Sequence, residues 1–132
     1  MITALLFSNP VVSEVCSNPP NETTGEFVEL YNDSSVPLDI SGYTLTDGDA
    51  LDDILPWAGV FPQGDVVTGT TVVPSGGYAV LLEEDYPLDP WLTFPAGTVI
   101  LTTGDHSICN GLAASSDPLT LYLASGTTQA DA

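Results

Sequence analysis

Carboxylates are the reactive side chains that this sequence offers in quantity. Asp47-Gly48-Asp49-Ala50-Leu51-Asp52-Asp53 gathers four of them within seven residues. Hard divalent cations take about six to eight oxygens from carboxylates, carbonyls and water, and a glycine permits the tight wrapping this needs. Asp47, Asp49, Asp52 and Asp53 are therefore candidate ligands, with calcium as the fitting ion. The spacing lacks the position-six glycine and terminal glutamate of the helical-hand calcium loop, so a solvated acidic turn stands beside the metal reading. A site of this kind in an extracellular module binds weakly, with a dissociation constant on the order of 10⁻⁴–10⁻³ M. His106, between Asp105 and Ser107, has the composition of a hydrolytic triad. Neighbours in sequence do not converge on one another, and no Gly-x-Ser-x-Gly segment is present, so no catalytic residue is assigned.

Aromatic side chains are the second candidate set. Trp57, Trp91, Tyr86 and Phe94 fall among Pro- and Asp-rich stretches, where rings flanked by carboxylates either stack on sugars, with Trp57 and Trp91 as the platforms, or plug the open end of a β-sandwich. Glu29 lies between Phe27 and Tyr31. A carboxylate hydrogen-bonded to loop backbone accounts for it better than a catalytic acid does. Pro74-Ser75-Gly76-Gly77 reads as a turn into a strand, and it lacks the lysine and following helix of a phosphate loop. Asn21-Glu22-Thr23 and Asn32-Asp33-Ser34 match the glycosylation sequon, which matters only in a eukaryotic secretory pathway.

The charge balance sorts the partners. Eighteen Asp and Glu, one His and no Lys or Arg give a formal charge of -18. Such a surface cannot release counterions from a phosphate backbone and repels anionic headgroups, which excludes nucleic acid and membrane insertion and leaves cationic partners and metal ions. Charged residues are 14% of the chain and apolar ones 43%, so burial can offset chain entropy and the protein folds. Its 132 residues suffice for one core. Cys16 and Cys109 stand far apart outside any Cys-x-x-Cys context, so zinc is not expected. They read either as two buried thiols or as a disulfide, which would stabilise by roughly 4–5 kcal/mol in the chain-entropy picture. Met1–Ser8 is apolar but has no basic residue and is too short for a signal peptide or membrane span, so it is read as lying upstream of a first strand.

The elements that must position these residues are strands. Runs of apolar residues separated by Pro, Gly, Asn, Asp and Ser predict strands at Val11–Cys16, Glu26–Asn32, Leu38–Thr46, Val66–Val73, Tyr78–Glu83, Thr98–Thr103 and Leu119–Ala124, with no amphipathic helix. Ser17–Gly25, Asp47–Gly64 and Glu84–Pro95 are read as long loops. Alternation within Glu26–Tyr31 puts Val28 and Leu30 in the core and Phe27, Glu29 and Tyr31 on the other face.

Several segments together resemble the lamin-tail domain, an immunoglobulin-like module of nuclear lamins and of many bacterial exported proteins. They are Val11–Val15, Gly25–Asn32, Pro37–Leu45, Pro74–Leu81, Phe94–Thr98 and Ser116–Tyr122, and their order and spacing cover nearly the whole chain. The resemblance implies an all-β, immunoglobulin-like β-sandwich over residues 1–132, a single domain excised from a longer exported protein, with a last strand beginning near Asp131. The DNA contacts of the nuclear members are not carried over, because they need a basic surface that is missing here. The exported character of the family, with the number and separation of the cysteines, favours a Cys16–Cys109 disulfide.

The expected function is a non-catalytic attachment, adhesion or protein-interaction module, extracellular or at the cell surface, stiffened by calcium in the acidic loop. The alternatives are a carbohydrate-binding module using loop aromatics and an accessory domain of an exported hydrolase.

Overall fold

The computed structural model describes residues 10–16, 26–48, 50–84, 86, 93–104, 108–109, 120–122 and 129–131. Within them the chain forms eleven strands and no helix: β1 Val11–Cys16, β2 Phe27–Tyr31, β3 Leu38–Asp39, β4 Thr44–Thr46, β5 Leu51–Asp53, β6 Leu55–Pro56, β7 Val72–Val73, β8 Tyr78–Leu82, β9 Val99–Thr102, β10 Thr120–Tyr122 and β11 Gln129–Asp131. No helix among the described residues is long and apolar enough to cross a membrane. A five-stranded sheet runs β1-β2-β8-β9-β6, a four-stranded sheet β11-β10-β4-β5, and β3 pairs with β7 in a two-stranded ribbon.

Period-2 alternation makes both faces of the large sheet apolar. Val28, Leu30, Ala79, Leu81, Val99 and Leu101 join Leu45 and Leu121 of the four-stranded sheet, with Ile40, Ile54 and Val73, in the core between the sheets. Phe27, Val80, Leu82 and Ile100 point the opposite way, into a second cluster. Val28 and Leu30 thus take the expected core places, while Phe27 is buried too, at 2% exposure. A strand covered on both faces loses its solvent side, and the reason here is topological. β8 and β9 pair in parallel, so the chain between them must cross over a face of the sheet rather than turn as a hairpin.

The expected strand Leu38–Thr46 is split. Asp39 accepts hydrogen bonds from the Ser41 N–H at 3.0 Å and the Thr71 hydroxyl at 2.7 Å, Gly42 sits at φ 79°, and the Tyr43 N–H returns to the Ile40 carbonyl. This turn carries the chain from the ribbon to the four-stranded sheet. The Thr71 hydroxyl, then the Ser41 N–H, hold the Asp39 carboxyl below its ordinary value. β5 and β6 arise in what the sequence presents as a loop, and buried Ile54 between them takes the chain from one sheet into the other.

Asn32 locks one end of the large sheet. Its side chain is fully buried, and Nδ2 donates to the carbonyls of Val36, Val73 and Pro74 at 2.9–3.1 Å. Oδ1 accepts from the Ser34 N–H and hydroxyl. The Asn32 backbone exchanges bonds with Gly76 and Gly77. The Pro74–Gly77 turn is structural, as expected, and Gly76 at φ 68° supplies the left-handed residue it requires.

Candidate functional site

The acidic stretch forms the hairpin joining β4 to β5. Asp47 is buried and its Oδ1 accepts the Ala50 N–H at 3.0 Å, while the Gly48 N–H is taken by the Thr46 hydroxyl. The carboxylate of Asp47 thereby closes a turn. Along β5 the alternation sends neighbouring carboxylates to opposite faces: Asp52 pairs in register with Leu45 and is buried, and Asp53 is exposed. Asp52 Oδ2 accepts the backbone N–H of Cys109, tying the 108–109 segment to the four-stranded sheet. Asp47, Asp52 and Asp53 therefore do not converge on a common point. Among the described residues no group of three or more His, Cys, Asp or Glu is placed to hold a metal. Asp49, also expected as a ligand, lies outside the described residues, as do His106 with its neighbours and Trp91.

Cys16 lies opposite Phe27 in the β1–β2 ladder and packs against the second cluster. Cys109 is buried in the core between the sheets, its thiol 3.7 Å from the Leu45 carbonyl. The two cysteines thus pack into different clusters, Cys16 against the outer one and Cys109 within the inner one.

Trp57 takes the packing alternative of the two that its sequence context offers. It is 8% exposed and meets Phe61 edge-on, with ring centroids 5.6 Å apart. Its ring is interior packing, not a face for a sugar. Phe94 stands at the centre of the same cluster, 5.7 Å from Phe27, 6.4 Å from Phe61 and 6.4 Å from Tyr86. Gln63 fastens this cover: its Nε2 donates to the Phe94 carbonyl at 2.6 Å and its Oε1 accepts the Phe94 N–H at 2.9 Å, as a paired strand would. Two polar atoms buried in the cluster, Trp57 Nε1 and the Tyr86 hydroxyl, have no hydrogen-bond partner among the described residues. Burial, then the nearby Cys16 and Glu83, push the Tyr86 hydroxyl up to about 12.

A groove of about 280 Å³ opens beside this cluster at the β6 edge, walled by Leu55, Trp57, Ala58 and Thr102, with exposed Glu84 on its lining. Gly104, at φ +70°, forms part of the wall, and a Cβ there would come within 2.9 Å of Leu55 Cδ1. Leu55 on its wall is 43% exposed, and Val60, elsewhere on the surface, is 89% exposed. Val60 lines a second hollow of about 300 Å³ with Phe61 and Gln63.

Sequence reasoning passed over Asn32, Gln63 and Glu83 as structural polar groups. Glu83 is 1% exposed and accepts the Glu26 N–H at 2.9 Å. A charged residue closing an apolar strand run is the one sign that pointed to it. Glu29 does have a hydrogen-bonded carboxylate, though its partner is the Ser13 hydroxyl of β1 rather than a loop backbone.

No curated protein matches this chain. The sequence profile of the Lamin Tail Domain family matches residues 7–132. With that match over nearly its whole length and an all-strand, two-sheet architecture, the chain belongs to the Lamin Tail Domain family and has its immunoglobulin-like β-sandwich fold.

Proposed function

We propose that this domain is a non-catalytic protein-interaction module, carried by a larger exported protein and working in attachment or adhesion outside the cell or at its surface. The observation that supports the reading best is exposed apolar surface at two hollows, Leu55 on the groove at the β6 edge and Val60 on the second hollow. Exposed apolar side chains gathered beside a hollow are the kind of surface that protein partners cover. Of the four buried carboxylates among the described residues, Asp47, Asp52 and Glu83 accept backbone N–H groups, which is structural work. For calcium, no three carboxylates converge among the described residues. Calcium should raise the melting temperature no more than magnesium does at matched ionic strength.

The test is a side-by-side array of glycans and of defined peptides, with duplex DNA as a third arm. Binding confined to peptides supports the module. Glycan binding without peptide binding replaces it with the carbohydrate reading, and an accessory domain of a hydrolase would then be its natural context. Salt-sensitive micromolar DNA binding would contradict the exclusion drawn from charge.

A further inference from the structure

We infer that the groove at the β6 edge accepts a short extended peptide segment that carries a basic residue next to one or two large apolar side chains. The inference rests on the interaction-module reading and names its site and partner chemistry.

Size and lining come first. A volume of about 280 Å³ lies at the lower end of the roughly 300–1,000 Å³ of small-molecule pockets, which suits one or two side chains. Leu55, Pro56, Trp57 and Ala58 give it an apolar wall, and Gly104, at φ +70°, contributes bare backbone to the lining. The sheet edge itself is closed to strand addition: β6 is two residues long and one is Pro56, which has no N–H to offer an incoming strand. Recognition therefore falls to side chains entering the groove, not to backbone pairing.

Charge then selects the occupant. The charged side chain on the lining is Glu84, which is exposed, and the molecule carries -18 with no lysine or arginine. A second copy of the chain brings the same charge and is repelled. Anionic peptides are repelled likewise. A lysine or arginine reaching Glu84, while its neighbour fills the apolar part, satisfies both features, and the field of the whole domain steers it inward.

The probe is an end-capped hexapeptide with two lysines flanking a Leu-Phe pair, measured by fluorescence anisotropy at 150 mM salt. One control replaces lysine with glutamate, and the other replaces Leu-Phe with Ser-Ser. The Lys-Leu-Phe peptide should bind about tenfold more tightly than either control. Ala58→Trp fills the groove from an exposed position without touching a core, and should weaken binding about tenfold. Glu84→Gln should weaken it about threefold and flatten its salt dependence. The inference is overturned if the serine control binds as well as the Lys-Leu-Phe peptide, if both substitutions leave binding unchanged, or if none of the three peptides binds. In that last case peptide signals elsewhere on the array leave the module reading standing, and their absence removes it as well.

Discussion

The two faces of the large sheet are covered by different means. The inner face meets another sheet, and the core between them is aliphatic, filled mainly by Leu, Ile and Val from both layers. The outer face meets chain that belongs to no strand, and its cover is aromatic: Trp57, Phe61, Tyr86 and Phe94 over Phe27, Val80, Leu82 and Ile100. Strand-on-strand packing fixes side chains by register, so branched aliphatics interlock. A loop cannot supply that regular spacing, and large flat rings are what let a few residues cover much apolar area. The cost appears in hydrogen bonding, since Trp57 Nε1 and the Tyr86 hydroxyl are buried in the aromatic cover without partners among the described residues. The inner core is the stability of the molecule and the outer cover is its adjustable surface, with the groove at its margin.

Neighbours on β9 test that contrast with the backbone held constant. Leu101 faces the inner core and Ile100 the outer cluster, and both are fully buried. Leu101→Ala should cost about 3–5 kcal/mol, and Ile100→Ala about 2–3 kcal/mol, because a loop cover collapses onto a cavity more readily than a second sheet does. Urea unfolding of both variants gives the comparison. Equal costs would mean that the outer cover is as rigid as the core.

The next largest effect is expected at Asn32. Asn32→Asp removes the Nδ2 that serves three carbonyls and sets a carboxylate against them, for a loss of about 3 kcal/mol in the same assay. A loss under about 1 kcal/mol would show that water replaces the lock. The same burial makes the Asn32-Asp33-Ser34 sequon a poor glycan acceptor once the chain has folded.

Gln63→Ala should be milder and local, costing about 1–2 kcal/mol. Its signature is hydrogen exchange: the Phe94 N–H, held by Gln63 Oε1, should exchange faster, while the Ile100 N–H, bonded to the Val67 carbonyl, keeps its protection. Loss of protection at both would merge the two regions into one cooperative unit.

This division also explains what the sequence reveals. β1, β2, β8 and β9 stand out because each is a run of apolar and β-branched residues, and β1 matches its expected bounds residue for residue. β5 and β6 do not stand out: Leu51-Asp52-Asp53 and Leu55-Pro56 carry no alternation that marks a strand, and their pairing is imposed by β4 and β9. Val66–Val73 reads as one strand, yet only Val72–Val73 enters a ladder as a strand, with Val67 in a single bridge to Val99. The aromatic residues were legible as packing or platform but not as which, because that depends on the crossover forced by the parallel β8–β9 pair, a long-range fact. The acidic hairpin is legible as a cluster but not as a geometry, for a similar reason. Spacing in sequence brings carboxylates together, and strand alternation then separates Asp52 from Asp53.

The smallest effect at neutral pH, and the sharpest test of the aromatic cover, belongs to Tyr86→Phe. The Tyr86 hydroxyl is buried with no partner among the described residues, so deleting it breaks none of their bonds and relieves a desolvated group, and stability at pH 7 should change by no more than about 1 kcal/mol, toward stabilisation. At alkaline pH the two proteins diverge. The hydroxyl titrates near 12 in the folded chain against 10.0 for an ordinary tyrosine, so the native state holds this proton more tightly than the unfolded state. The stability linked to it is whole below pH 10 and drains away as pH rises from 10 through 12, because only the unfolded chain ionises freely in that window. Phenylalanine has no proton to lose. The variant should therefore gain on the parent steadily from pH 9 to pH 11 in urea unfolding, while absorbance at 295 nm shows one late-titrating phenol fewer. A difference that stays flat across that range would mean that the ring is reached by water, and a loss above about 1 kcal/mol at pH 7 would mean that the hydroxyl has a partner after all.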